Sequence, residues 1–265
     1  MTGHPDYEPH RFQSAVPYYA RHRLDYPELL IRRVLAATGL VTGGRVLDLG
    51  CGTGFLALAF ARAGMSVTAV DPEPEMLESG KSAAADAGLT VVWRSGSSFE
   101  MPSDLGLVDL VAMGRSFHWM DRPRTLNVLD QLIAPGGAVV LFDDDHLKAP
   151  ENRWRDVLDA VSGRYGADRA PHRAARAAAD YRCHESILLE SPFRRIESAG
   201  VVVTRELSAD DIVGYAWSLS VTSKQALGER ADAFEADLRQ ALAALDPSGR
   251  FREVADMRAV IARRP

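Results

Sequence analysis

The sequence predicts an α/β protein in which a mainly parallel, seven-stranded sheet carries helices on both faces and a helical cap is inserted late in the chain. Three observations predict it. Short apolar strands alternate with amphipathic helices from about residue 28 to residue 145, the mark of a parallel sheet covered on both faces. A buried strand, Arg45-Val46-Leu47-Asp48-Leu49, runs directly into a turn holding Gly50, Gly52 and Gly54. After Asp145 the alternation gives way to mainly helical sequence, with two late apolar runs left over as strands.

Taken in order, residues 1–27 are polar and aromatic, end in Tyr26-Pro27, and read as an N-terminal cap segment. Residues 28–38 place Leu29, Leu30, Val34 and Leu35 at helical spacing. The strand 45–49 follows, and 54–63 is an apolar, alanine-rich helix. Ser66 to Asp71 is the second strand. Glu73 to Ala85 is helical, with Met76, Leu77 and Ala83 or Ala84 as its buried stripe. Leu89 to Trp93 is the third strand and Leu107 to Met113 the fourth. A helix covers 122–133, Pro135-Gly136-Gly137 closes it, and Ala138 to Phe142 is the fifth strand. These elements make a core over 28–147. Residues 148–245 read as a mainly helical cap insertion, helical over 151–190 and 208–245. One late core strand lies near 200–206, carried by Gly200 to Val203. Residues 246–265 supply a terminal core strand around Met257 to Ile261.

At 265 residues the chain is long enough to bury a substantial core without disulfides or structural metal. Its 46% hydrophobic and 25% charged residues are ordinary for a globular protein. A net charge of -5 lacks the basic surplus that duplex-binding proteins use against phosphates, so no nucleic-acid partner is expected. Cys51 and Cys183 are too few for a disulfide framework and point to a cytoplasmic setting. The first residues hold no apolar signal stretch, and no segment approaches the roughly 18 apolar residues of a membrane span, so no membrane partner is expected. A monomer or homodimer is expected.

The chemistry gathers at Val46-Leu47-Asp48-Leu49-Gly50-Cys51-Gly52-Thr53-Gly54. Glycine permits left-handed backbone and removes side chains that would block a ligand, so a cofactor can rest on bare backbone near a helix N-terminus. Asp71 ends the second strand, where its carboxylate can accept hydrogen bonds from ribose hydroxyls. A glycine turn with a downstream acid points to nucleoside binding and leaves the nucleoside open. Gly52-x-Gly54-x-x-Ala57 also fits a relaxed dinucleotide fingerprint.

The stretch resembles the cofactor motif of class I S-adenosylmethionine-dependent methyltransferases. The pattern Asp-x-Gly-x-Gly-x-Gly is complete in Asp48, Gly50, Gly52 and Gly54. Asp71-Pro72-Glu73-Pro74-Glu75-Met76-Leu77 resembles that family's second motif, and Val108 to Leu141 its fourth and fifth strands. Phe117-His118-Trp119-Met120-Asp121 is similar to the His-Trp-Phe-Asp variant of a small-molecule branch that includes relatives of trans-aconitate methyltransferase. Tyr19, Arg23 and Tyr26-Pro27 match that branch's N-terminal segment. The likeness is close over about 18–145 and loose elsewhere.

The resemblance implies a Rossmann-like fold, S-adenosylmethionine as cofactor and a small-molecule acceptor. Gly50 and Gly52 would approach the methionine part, Asp71 would hold the ribose, Pro72 and Met76 would flank the adenine, and Asp48 counts with them among the cofactor-binding residues. Tyr19 and Arg23 would close over the cofactor's carboxylate end. Where the family has an acid for the adenine amine, this chain has Ser97, Ser98 and Phe99 after Gly96. Phe117, Trp119 and, in the cap, Trp217 are acceptor-binding candidates, although Trp217 more often means packing. His118 and His146 are the candidates for a catalytic base. An aqueous pKa near 6.5 suits histidine to that work, but lining a pocket explains them as well.

Asp143-Asp144-Asp145-His146 invites a metal, but neighbours in extended chain point to opposite sides, so a solvated loop is expected and no metal. Arg173 and Arg176 share one helix face, with Arg169 and His172 nearby. That face is either solvated or greets an anionic acceptor. A nicotinamide-dependent oxidoreductase and a non-catalytic binder of S-adenosylmethionine are the rival readings.

Overall fold

The computed structural model describes residues 13–167, 178 and 181–265. Among these, a first helix α1 (Val16–His22) and α2 (Glu28–Thr38) lead into β1 (Arg45–Leu49), α3 (Phe55–Arg62), β2 (Ser66–Asp71), α4 (Pro74–Asp86), β3 (Val92–Ser95) and β4 (Val108–Gly114). Next come α5 (Arg122–Leu132), β5 (Ile133–His146), α6 (Arg153–Arg164), α7 (His184–Leu189) and β6 (Arg195–Ser208). Three further helices, α8 (Ala209–Trp217), α9 (Lys224–Leu227) and α10 (Ala231–Leu245), precede β7 (Arg250–Arg263).

The strands form one seven-stranded sheet in the order β3-β2-β1-β4-β5-β7-β6. The sheet is mixed. Its first five strands pair in parallel, while β7 runs antiparallel to both β5 and β6. The order reverses at β1, and the crevice between the C-terminal ends of β1 and β4 is where such sheets place ligands.

Burial explains the central strands. Along β1 successive side chains point to opposite faces, and both faces are covered. Val46 packs in one layer with Leu30, Ile31, Val34, Leu56 and Phe60 of α2 and α3. Leu47 and Leu49 pack in the other, with Leu126 and Leu129 of α5 and Ile187 and Leu188 of α7. A third cluster joins Trp154 and Leu158 of α6, Ile212, Tyr215 and Trp217 of α8, and Phe234, Leu238 and Leu242 of α10. Leu207 and Phe251, at the far ends of β6 and β7, close that cluster from the sheet side.

Two sequence expectations are corrected. The third strand begins at Val92 rather than Leu89, because Gly88 ends α4 with φ 63° and the Leu89 N–H still caps the helix by donating to Ala84 O at 2.9 Å. The acidic stretch after Phe142 is strand, not a solvated loop. β5 continues to His146, pairing Asp143 with Arg258, Asp144 with Met257, Asp145 with Asp256 and His146 with Ala255. The partner strand β7 runs long enough to hold it. Over 208–245 the chain forms three helices, with a capping box of Ser208 and Asp211 opening the first and the Ser223 hydroxyl, which accepts the Ala226 N–H, opening the second. The two late apolar runs are 14-residue strands, paired along their whole length. The arginine face at Arg169, Arg173 and Arg176 lies outside the described residues. No helix among the described residues is long and apolar enough to cross a membrane.

Candidate active site

β1 delivers the chain into a turn whose three glycines are all left-handed, with φ of 70° at Gly50, 53° at Gly52 and 85° at Gly54, values open to glycine without strain. The turn is fastened to β2. Gly50 and Cys51 donate their N–H groups to Val70 O at 2.8 and 3.1 Å, and Gly52 donates to Asp71 Oδ2 at 2.8 Å. Asp71 Oδ1 accepts the Glu73 N–H at 3.0 Å. Burial outweighs these bonds and pushes the Asp71 carboxyl up to about 6. Beneath it, Asp48 Oδ2 accepts the Ala57 N–H at 2.9 Å, tying the first turn of α3 to the strand. Burial pushes the Asp48 carboxyl up to about 7.

The glycines serve different ends. A Cβ on Gly54 would lie 2.5 Å from the Trp93 ring, and one on Gly50 2.7 Å from Ser116 Cβ, so these two let neighbouring elements close up. A Cβ on Gly52 would meet only the Met76 sulfur, at 4.0 Å. The backbone there faces open space that a side chain would fill, which suits a ligand lying on bare backbone.

One pocket, with about 270 Å³ of empty space partly open to solvent, sits over the turn and brings together Tyr19, Asp48, Gly50 and Gly52. Tyr26 and Arg115 also line it. Tyr19 packs on Phe55 with ring centroids 5.9 Å apart. Arg23 stacks between Tyr19 and Tyr215, 5.1 Å from each ring, and donates to Ser218 O at 3.4 Å. Met76 is buried below Gly52, and Pro72 is half-buried where β2 meets α4. In the loop after β3, Ser98 is buried and Phe99 exposed. The Ser97 hydroxyl accepts the N–H groups of Phe99 and Glu100, at 3.2 and 3.1 Å, and so shapes its own loop.

The loop after β4 is pinned to β1 by Ser116 Oγ, which donates to Leu49 O at 2.9 Å. Phe117 turns inward, 2% exposed, against His184. His118 is exposed and its ring lies 4.9 Å from that of Trp119. His146 is placed differently. It is buried, with Nε2 2.8 Å from Glu253 Oε1 and Nδ1 3.6 Å from Asp144 Oδ2, so both ring nitrogens face carboxylates. Trp217 is 2% exposed in the helical cluster, against Phe234 and Tyr18, and is not among the residues that line the pocket.

Sequence reasoning did not single out Arg115 as a site residue. It is the only non-glycine with positive φ among the described residues, at 54°. Its Nε is ion-paired with Asp144 Oδ1, its Nη2 donates to Leu24 O at 3.0 Å, and its guanidinium lies 4.9 Å from the Tyr26 ring centroid. Burial alone would push the Asp144 carboxyl up, but Arg115, then His146 and Arg23, outweigh it and hold it well below the usual carboxylate range. The run Gly114-Arg115-Ser116-Phe117 carries no local signal of this, because the partner acid arrives from β5, 29 residues later.

Residues 46–137, which contain the turn, Asp71 and the loop after β4, match the family model described as a methyltransferase domain. An uncharacterized methyltransferase of Mycobacterium sp. (strain JLS) is 31% identical over 206 residues, 66% of this chain and 80% of that protein. The chain belongs to the methyltransferase family. An uncharacterized methyltransferase of Mycobacterium tuberculosis (strain ATCC 25618 / H37Rv) is 38% identical over 158 residues, 58% of this chain and 60% of that protein. The chain thus spans about three-fifths of the length of that relative. Its fold is similar to that of a solved S-adenosylmethionine-dependent methyltransferase from Thiobacillus denitrificans in complex with S-adenosyl-L-homocysteine. That match has a TM-score of 0.52, 22% identity, and covers 97% of this chain and 99% of the other. A counterpart from Geobacter sulfurreducens, also in complex with S-adenosyl-L-homocysteine, has a TM-score of 0.52 at 19% identity and covers 97% of this chain and 99% of that one.

Proposed function

We propose that the protein transfers a methyl group from S-adenosylmethionine to a small-molecule acceptor, as a member of the small-molecule branch its His-Trp motif resembles. The observation that carries the reading is the glycine turn fastened to Asp71, with open space over Gly52 and a pocket above it. Gly50 and Gly52 would hold the methionine end and Asp71 the ribose, since each Asp71 oxygen keeps a lone pair beyond the backbone bond it already accepts. Pro72, Met76, Ser98 and Phe99 would flank the adenine.

When bound, S-adenosylmethionine supplies an electrophilic methyl whose sulfur departs as a neutral thioether, so no acid is required. The chain's work is to align and to exclude water. Tyr19 and Arg23, on and just after α1, are placed to close the site from the N-terminal side. His118 and Trp119 follow β4 at the sheet edge where ligands bind, and His118 is the exposed titratable group there, able to take a proton where the acceptor must lose one. His146, held between two carboxylates, is a positioning residue in this reading rather than a base. Helices α6, α8 and α10 form the cap. The acceptor would be oxygen, nitrogen or carbon.

Calorimetry tests the first half: S-adenosylmethionine and S-adenosylhomocysteine bind and NAD does not. A nicotinamide cofactor binding preferentially would refute it. The second half is tested by following cofactor consumption against a panel of small metabolites, with product mass and NMR. Turnover of nucleic acid or protein in place of every small molecule would refute that half.

A further inference from the structure

Two buried polar atoms at one pocket have no partner among the described residues. Arg115 offers Nε to Asp144 and Nη2 to the Leu24 carbonyl, but Nη1 has none. The Arg115 side chain is 9% exposed. The second atom is Tyr26 Oη. Both residues line the pocket above the glycine turn, and the guanidinium lies 4.9 Å from the centroid of the Tyr26 ring. A Cβ on Gly114 would come within 2.6 Å of Tyr26 Oη, so the bare backbone at the end of β4 is what leaves this corner room.

Buried donors in native proteins are nearly always satisfied, and an exception calls for a cause such as strain, a catalytic role, or a bound water, ion or ligand. Both atoms here are donors. Arginine has no acceptor, and burial keeps the Tyr26 phenol protonated by pushing its pKa well above 10. Arg115 is also held in place at some cost. Its φ of 54° is strained for a side-chain-bearing residue, and Asp144 fixes its Nε edge. A guanidinium that is fixed on one edge and free on another presents N–H groups in a planar fork, which fits a planar anion better than a water.

We propose that Arg115 Nη1 and Tyr26 Oη form a carboxylate-binding site in the pocket over the glycine turn. The inference rests on the cofactor reading above. The carboxylate has two sources, the amino-acid end of the cofactor or a carboxylate carried by the acceptor. Asp144 is then a positioning residue, holding Arg115 in the orientation that leaves Nη1 to the ligand.

Two conservative variants test it. Tyr26→Phe removes only the hydroxyl, and Arg115→Lys keeps a cation beside Asp144 but loses the fork. The double variant Arg115→Gln/Asp144→Asn, which leaves no buried charge unpaired, stands in if the lysine variant fails to fold by circular dichroism. Calorimetry is run with S-adenosylhomocysteine, with 5′-methylthioadenosine, which lacks the amino-acid end, and with a panel of small mono-, di- and tricarboxylates and their amides. The panel is run with and without S-adenosylhomocysteine.

If the cofactor supplies the carboxylate, Tyr26→Phe and Arg115→Lys each weaken S-adenosylhomocysteine about tenfold or more, the loss of one hydrogen bond to a charged group, while methylthioadenosine is unchanged. If the acceptor supplies it, both adenosyl ligands keep their affinity. The parent then binds members of the carboxylate panel, not their amides, and the variants lose that binding about tenfold. Folded variants that match the parent with every ligand overturn the proposal. A parent that binds neither adenosyl ligand refutes the cofactor reading instead, and the panel without S-adenosylhomocysteine still decides the carboxylate site.

Discussion

Replacing Asp71 by Asn should make the free protein more stable and the cofactor complex weaker, and the two effects can be measured on one sample. The Asp71 carboxyl is 7% exposed and burial lifts it from 3.8 to about 6. At about 1.4 kcal/mol per pH unit, the charged form is disfavoured in the fold by about 3 kcal/mol. A carboxyl whose folded value is raised is protonated more readily in the fold than in the unfolded chain. Its contribution is therefore fully favourable below about pH 4 and is lost as the pH rises through about 6. Asparagine carries no charge and keeps one carbonyl oxygen for the Gly52 or the Glu73 N–H. The other bond is lost, at about 1 kcal/mol. The net expectation at pH 8 is a variant more stable than the parent by about 1–2 kcal/mol. Below pH 4 that advantage should vanish. Cofactor affinity should run the other way, because the ribose hydroxyls need a carboxylate acceptor. In the parent it rises with pH through about 6, and in Asp71→Asn it is weaker and flat. Urea melts from pH 4 to 8, paired with calorimetry using S-adenosylhomocysteine, read both curves. An Asn variant that keeps the parent's affinity and its pH profile would refute the reasoning and remove Asp71 from the site.

Three further outcomes are expected. Gly52→Ala forces a side chain into φ 53° and into the open space over the turn, so stability falls by roughly 1–2 kcal/mol and calorimetry shows binding lost well beyond that. A variant that binds normally would mean that no ligand crosses Gly52. Trp217→Ala empties a fully packed site in the helical cluster and should cost about 3–5 kcal/mol in a denaturant melt, while acceptor KM at a temperature where the variant is folded stays near the parent's. A selective rise in KM would return Trp217 to the acceptor site. Glu253→Ala strips His146 and Arg205 of a buried partner and should destabilise by about 3–5 kcal/mol, with His146→Gln/Glu253→Gln milder than Glu253→Ala. Equal losses in the two would argue against an ion-pair role.

The division between what sequence and structure decided follows the range of the interactions involved. Local order was legible: the Asp48-to-Gly54 turn, the strand Ser66–Asp71 and the helix 122–132 all depend on neighbours within a few residues, through hydrophobic period and glycine backbone. Strand ends were less so. Leu89 reads as strand by composition, but the left-handed Gly88 and the bond from the Leu89 N–H to Ala84 O tie it to the end of α4. Asp143 to His146 read as a solvated loop, and their strand depends on β7, which arrives more than a hundred residues later. Separation along the chain also hid the row of ion-pairing groups from Arg115 through Asp144, His146 and Glu253 to Arg205, whose members come from β4's loop, β5, β6 and β7. The sequence by itself determined the alternating core, the glycine turn and the acid that holds it, because those are set by local periodicity and backbone conformation. Only the tertiary structure decided that Trp217 lies in a core, that His146 is gripped on both nitrogens and that Arg115 meets Tyr26 over the turn. Burial and ion pairing between segments far apart in the chain exist only once the sheet has brought them together.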